Sequence, residues 1–137
     1  MNVYIDSSVL LRIVFSEEHQ LVLDERMQII SSILLFIECR RALDRARVLP
    51  SALRKMIGAP RERFFEAVER IKFIELDHNI VSIAAQPFAF AIKSLDAIHL
   101  ATALDWRRRR HQDLAFMTHD NRLATAAHRV GFSALGA

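Results

Sequence analysis

With one cysteine, Cys39, the chain can form no internal disulfide and no thiolate zinc cluster. Set in an apolar stretch, that residue reads as a buried small hydrophobe in a reducing compartment. Glycine and proline number only three each in a chain that is 52% apolar. That balance excludes a disordered or low-complexity polymer and predicts a compact, helix-rich globule. No apolar run reaches the length of a membrane span, so no membrane partner is expected. The first residues, Met1 to Asp6, lack the basic region of a secretory signal, which makes the cytoplasm the expected address. Lysine is scarce too: Lys55, Lys72 and Lys93 are the only three among nineteen cations. Against sixteen acids this leaves a formal charge of +3, carried by arginine. Arginine matches phosphate geometry better than lysine does, which makes nucleic acid a candidate partner. The patterns G-x-x-x-x-G-K-[ST], G-x-G-x-x-G, H-E-x-x-H and G-x-S-x-G are all missing. Their absence removes the commonest phosphate-loop, dinucleotide, zinc-protease and serine-hydrolase chemistries.

What is present is an alternation of short apolar runs with helical stretches. Strands are expected at Val3–Ile5, Gln28–Ile30, Lys72–Leu76, Leu114–Thr118 and Phe132–Leu135. Helices are expected at Val9–Phe15, Ile33–Arg47, Glu62–Arg70, His78–Gln86 and Asn121–Arg129, with a short helical piece at Glu17–Glu25. A further helix begins at Ser94, read as its N-cap, and ends in Arg107 to Arg110. Pro50 to Arg61, with Gly58 and Pro60, reads as a connection. The pattern predicts one domain over residues 1–137, an α/β sandwich around a parallel sheet.

Four acids stand out against this frame. Asp6 and Asp120 each follow an apolar run, Asp96 lies in the first turn of the Ser94 helix, and Glu38 lies inside Ile33–Arg47. In open parallel sheets, sites form outside the carboxyl ends of the strands, so Asp6 and Asp120 belong on one rim. Converging carboxylates repel one another unless a cation is present, and a hard divalent ion relieves that repulsion. Such an ion lowers the pKa of a hydrolytic water and stabilises charge on the oxygens of a phosphodiester. Each acid also has a plain structural explanation. Asp6 and Asp120 could simply cap the helices that follow them, and Asp96 could complement the helix dipole. Glu38, with Arg41 at i+3, could belong to a surface ion-pair stripe. Spacing alone leaves the alternatives open.

The motifs Tyr4-Ile5-Asp6-Ser7-Ser8-Val9-Leu10, Glu38 with Arg41-Ala42-Leu43, Leu95-Asp96-Ala97-Ile98-His99-Leu100-Ala101-Thr102-Ala103 and Thr118-His119-Asp120-Asn121-Arg122-Leu123-Ala124 occur in that order. Together they give the chain a resemblance to the PIN-domain ribonucleases, in particular the VapC-type toxins of toxin–antitoxin pairs. The resemblance implies a three-layer sandwich with a five-stranded parallel sheet flanked by helices. It implies an acidic pocket of Asp6, Glu38, Asp96 and Asp120, with Asp6, Asp96 and Asp120 on a Mg²⁺ or Mn²⁺ ion. Thr118 matches the family's small hydroxyl residue beside the pocket. It further implies a metal-dependent endoribonuclease acting on cellular RNA, a small cognate antitoxin and a homodimer. A catalytically silent PIN-like binding domain and a stand-alone PIN nuclease are the alternatives. A phospho-accepting receiver domain is excluded, because none of the three lysines follows the last strands.

Several other features carry plainer expectations. His99, one turn after Asp96, is expected to be a packed, hydrogen-bonded core residue rather than a ligand. Arg107 to Arg110 suit a helix C-terminus and could also hold flanking RNA. Arg12, Arg40, Arg41 and Arg45 are candidates for a groove lining near the acids. Phe64, Phe65, Phe88 and Phe90 could stack on bases but read more simply as core or interface residues.

Overall fold

In the computed structural model, which describes residues 1–136, five parallel strands form one sheet. They are β1 (Asn2–Ile5), β2 (Gln28–Ser32), β3 (Ile71–Ile74), β4 (Ala115–Met117) and β5 (Ser133–Leu135), in the order β3-β2-β1-β4-β5. Seven helices connect and cover them: α1 (Ser7–Val14), α2 (Ile33–Arg47), α3 (Ser51–Ile57), α4 (Pro60–Val68), α5 (His78–Ala84), α6 (Ser94–Arg110) and α7 (Asn121–Arg129).

The period of two along each strand builds the three layers. On β1, Val3 and Ile5 join Ile29, Ala115 and Met117 in a core shared with Val9 and Leu10 of α1, Leu35 and Cys39 of α2 and Phe64 of α4. Tyr4, Ile30 and Phe116 point to the opposite face, where Leu100, Ala103 and Trp106 of α6 and Leu123, Ala126 and Ala127 of α7 cover them. Strands buried on both faces need no polar alternation, which is why these runs are continuously apolar. Cys39 is fully buried, and burial pushes its thiol pKa up to about 12, as expected for an inert core thiol.

Strand order reverses at β1, whose neighbours are β2 on one side and β4 on the other. The crevice at the carboxyl ends of β1 and β4 is therefore the switch point where a ligand site forms in such sheets. Asp6 leaves β1 there and Thr118 leaves β4 there.

Three expectations from the sequence are corrected. Glu17–Glu25 is not helical: Ser16 and His19 adopt left-handed backbone, which ends α1, and Arg70 then ties the extended segment by donating to the Leu23 and Asp24 carbonyls at 2.9 and 2.8 Å. Pro50 to Arg61 is not a plain connection. It contains α3 and the start of α4, with Gly58 at positive φ separating them and Pro60 pre-set for the first turn of α4. Ser94 is not the N-cap of α6. Lys93 takes that place without a side-chain bond, and Ser94 is already helical.

Candidate functional site

The two capping acids do cap, and in doing so face the switch point. Asp6 accepts from the Val9 amide at the start of α1, at 3.4 Å. Asp120 Oδ1 accepts from the Arg122 and Leu123 amides of α7, at 2.8 and 3.1 Å. A cap fixes where its carboxylate stands relative to the strand end before it. Capping and pocket formation are compatible at both positions.

Two hydroxyls stitch these acids together. Thr118 Oγ1 donates to Asp6 Oδ2 at 2.7 Å and accepts from the Asp120 amide at 3.0 Å. Ser8 Oγ donates to Asp6 Oδ1 at 2.5 Å and accepts from the His119 amide at 2.9 Å. Asp6 is only 4% exposed; burial pushes its carboxyl pKa up, and the Ser8 and Thr118 hydrogen bonds pull it partly back.

Glu38 reaches the same rim from α2. Its Oε2 accepts from Ser7 Oγ at 3.1 Å and its Oε1 lies 2.7 Å from His99 Nε2. The ion-pair stripe with Arg41 does not form, since Arg41 pairs with Asp44 at 3.0 Å. His99 is buried, as expected, and its Nδ1 lies 2.7 Å from the Tyr4 hydroxyl. Ser7, Ser8, Tyr4 and His99 are thus neighbours of the acids that spacing did not identify. Ser7 and Ser8 follow Asp6 directly, but which acid each would serve depends on the fold.

Asp96 is half-buried and forms no side-chain hydrogen bond or ion pair among the described residues. Burial raises its pKa and the negative charge of Asp120 raises it further; a positive charge on His99 would pull it back, and Asp6 and Glu38 push it up. Asp96 thus stands in the field of the other three carboxylates. Among the described residues, none of the four pairs with Arg or Lys.

The donor set suits a hard divalent cation: carboxylate oxygens, concentrated negative charge and no Arg or Lys on any of the four acids. Among the described residues no three His, Cys, Asp or Glu side chains stand together so as to hold a metal ion between them. A Mg²⁺-like ion does not require three, because it binds through one or two carboxylates and keeps several waters. Asp96 and Asp120 retain the most accessible acceptor positions, whereas Asp6 already accepts three hydrogen bonds.

The arginines nearest in sequence mostly have other partners. Arg40 lies over the rings of Phe36 and Phe65, Arg47 joins Arg41 on Asp44, and Arg12 sits 4.0 Å from Glu17. A cavity of about 350 Å³ between α2, α3 and α4 is lined by Arg40, Arg47, Arg54 and Arg61 and by none of the four acids. Phe64 is core, Phe65 is partly exposed between Arg40 and Arg61, and Phe88 and Phe90 pack against the α6–α7 core.

The sequence model of the PIN domain matches residues 3–129. Ribonuclease VapC46 of Mycobacterium tuberculosis (strain ATCC 25618 / H37Rv) is 33% identical over 95 residues, which span 69% of this chain and 69% of that protein. Sheet order, acids at the switch point and a match over nearly the whole length agree: the chain belongs to the PIN-domain family, and its likeness is to the VapC-type ribonucleases.

Proposed function

We propose that this protein is a metal-dependent endoribonuclease and the toxin of a toxin–antitoxin pair, working as a single domain in the cytoplasm. What supports the proposal is that Asp96 lies in the field of Asp6, Glu38 and Asp120 and that none of the four pairs with Arg or Lys among the described residues. Mg²⁺ or Mn²⁺, held by Asp96, Asp120 and Asp6, would supply the missing positive charge, a Lewis acid for the phosphate and a lowered pKa for the attacking water. Thr118 and Ser8 hold both oxygens of Asp6, so that carboxylate is fixed before any ligand arrives. Glu38 is 21% exposed and its Oε2 is engaged only by the Ser7 hydroxyl, which leaves it able to take a proton from the attacking water. Single-stranded RNA is the substrate class we assign, with Arg45 and Arg54, the arginines of α2 to α4 without an ion pair, ring contact or side-chain hydrogen bond among the described residues, available to its phosphates.

A protein partner is supported by apolar side chains exposed on that surface: Ile37 on α2, Leu53 and Met56 on α3 and Phe65 on α4. We assign them to a small antitoxin, and a second copy of the chain completes a homodimer. Among the described residues no helix is long and apolar enough to cross a membrane.

The purified protein should cut single-stranded RNA in millimolar Mg²⁺ or Mn²⁺ and stop when EDTA is added. Its expression alone should arrest growth, and co-expression of the neighbouring small reading frame should relieve the arrest. A folded protein inert towards RNA with both metals would remove the nuclease proposal. Cleavage without growth arrest would leave a stand-alone PIN nuclease.

A further inference from the structure

A chain of short hydrogen bonds runs from the backbone of β2 to the pocket. The Ser32 amide donates to the Tyr4 hydroxyl at 3.2 Å, Tyr4 Oη lies 2.7 Å from His99 Nδ1, and His99 Nε2 lies 2.7 Å from Glu38 Oε1. Tyr4 is fully buried and His99 is 2% exposed, so of the three side chains on this line only Glu38, 21% exposed, meets solvent.

Counting hydrogens fixes its direction. The Tyr4 oxygen already accepts from the Ser32 amide, and its one hydrogen needs an acceptor. Among the described residues the Tyr4 oxygen has two hydrogen-bond partners, the Ser32 amide, which can only donate, and His99 Nδ1; Ser31 and Thr102 bond instead to the Ile5 and Ile98 carbonyls, each at 2.7 Å. The Tyr4 hydrogen points to His99 Nδ1, which must then be a lone pair. The remaining ring hydrogen sits on Nε2 and is donated to Glu38.

We infer that His99 is a positioning residue for Glu38, held by Tyr4 as the neutral Nε2–H tautomer so that it orients the carboxylate without cancelling its charge. An arginine or lysine in this place would orient Glu38 equally well and neutralise it. A neutral donor keeps the pocket attractive to a cation. The chain also joins β1, α2 and α6, the elements that carry Asp6, Glu38 and Asp96. The functional consequence rests on the proposed nuclease role of Glu38; the tautomer does not.

Two measurements separate these levels. Long-range ¹H–¹⁵N correlation on the imidazole of His99 in the metal-free protein should show the Nε2–H pattern at neutral pH. Tyr4→Phe, which keeps the ring on Phe116 but removes the hydroxyl, should raise the share of the other protonation forms. In RNA cleavage, Tyr4→Phe and His99→Leu should lower kcat about 10- to 100-fold with little change in KM. His99→Gln, whose amide can accept from Tyr4 and donate to Glu38, should recover part of the loss. Melting curves confirm that each variant is folded. An Nδ1–H or doubly protonated His99 in the wild type overturns the tautomer assignment. A folded His99→Leu protein cleaving at the wild-type rate overturns the positioning role. Wild-type protein that cuts no RNA removes the catalytic consequence, while the imidazole spectrum still decides the assignment.

Discussion

Helix α6 carries acid at one end and base at the other, and the fold treats them in opposite ways. In its first turn Asp96 is half-buried, without a hydrogen-bonding partner among the described residues, in the field of three other carboxylates. In its last turn Arg107 donates to the Gly131 and Val130 carbonyls at 3.1 and 2.8 Å and lies 4.0 Å over the Phe132 ring. Arg109 pairs with Asp105 at 2.9 Å, and Arg110 sits over Trp106. The four arginines look from the sequence like a nucleic-acid patch, yet Arg107, and Arg109 through Asp77 at 3.5 Å, tie the helix end to its surroundings, while Arg110 lies over a ring of its own helix. Asp96 looks from the sequence like a dipole complement, yet it is the charge left without compensation. Density of charge along the chain is therefore a poor guide to function; charge left unpaired in a crevice is a better one.

The sharpest way to break this contrast is to neutralise each end in turn. Asp96→Asn should lower RNA cleavage by at least about 100-fold, the scale for loss of a preorganised electrostatic group, and leave the fold intact because no contact is lost. Asp6→Asn should do the same. Undiminished cleavage by folded Asp96→Asn would sink the site assignment. Metal should stabilise the wild type through the same acids, by about 2.7 kcal/mol when free ion stands at 100 times its Kd. The quadruple variant Asp6→Asn, Glu38→Gln, Asp96→Asn, Asp120→Asn should melt at one temperature with or without Mg²⁺ or Mn²⁺. A wild-type melting curve indifferent to both ions would count against a shared site.

At the basic end the expected effects are on stability. Arg107→Ala removes two charge-assisted hydrogen bonds and a ring contact, and should cost about 2 kcal/mol in denaturant unfolding. Arg108→Ala, next to it but exposed and without a partner among the described residues, should stay within about 0.5 kcal/mol. Equal losses at the two positions would mean that the staple is not what holds the helix end.

The smallest effect is on pH dependence. Asp6 and Asp96 have folded-state pKa values raised above the ordinary carboxylate value, so their ionised forms are disfavoured in the folded state. Each lowers stability above its folded pKa and ceases to do so once protonated. The melting temperature of the metal-free protein should rise as pH falls below neutral, and the rise should shrink in an Asp6→Asn, Asp96→Asn double variant. At lower pH the trend should reverse. The Asp24 carboxyl is held low by its hydrogen bonds from Arg26 and that of Asp44 by the charge of Arg41, and stability from both is lost on protonation.

Much of the fold was legible because local chemistry and packing agree there. Val3-Tyr4-Ile5 is apolar throughout since both faces of β1 are covered, and Asp6, Ser32, Asp77 and Asp120 announce helix starts that they do cap. The failures lie where local signals compete. Gly58 and Pro60 punctuate two short helices rather than a loop, and the helical propensity of Glu17–Glu25 yields to left-handed residues at its entrance. Arg12, Arg40 and Arg41 were candidate groove residues from their distance along the chain, but their side chains lie against Glu17, two phenyl rings and Asp44.

By itself the sequence determined the layer order, the strands and the presence of Asp6, Glu38, Asp96, Asp120 and Thr118, because apolar periodicity and capping are properties of neighbouring residues. Only the tertiary structure decided how those groups are engaged. That Ser8 and Thr118 both serve Asp6, that Ser7 and His99 serve Glu38 and that Tyr4 orients His99 are facts about residues up to 112 positions apart. Hydrogen bonds and uncompensated charge depend on distances of a few ångströms, and the spacing of letters along a chain carries no such distance once β1, α2, α6 and β4 meet at one rim.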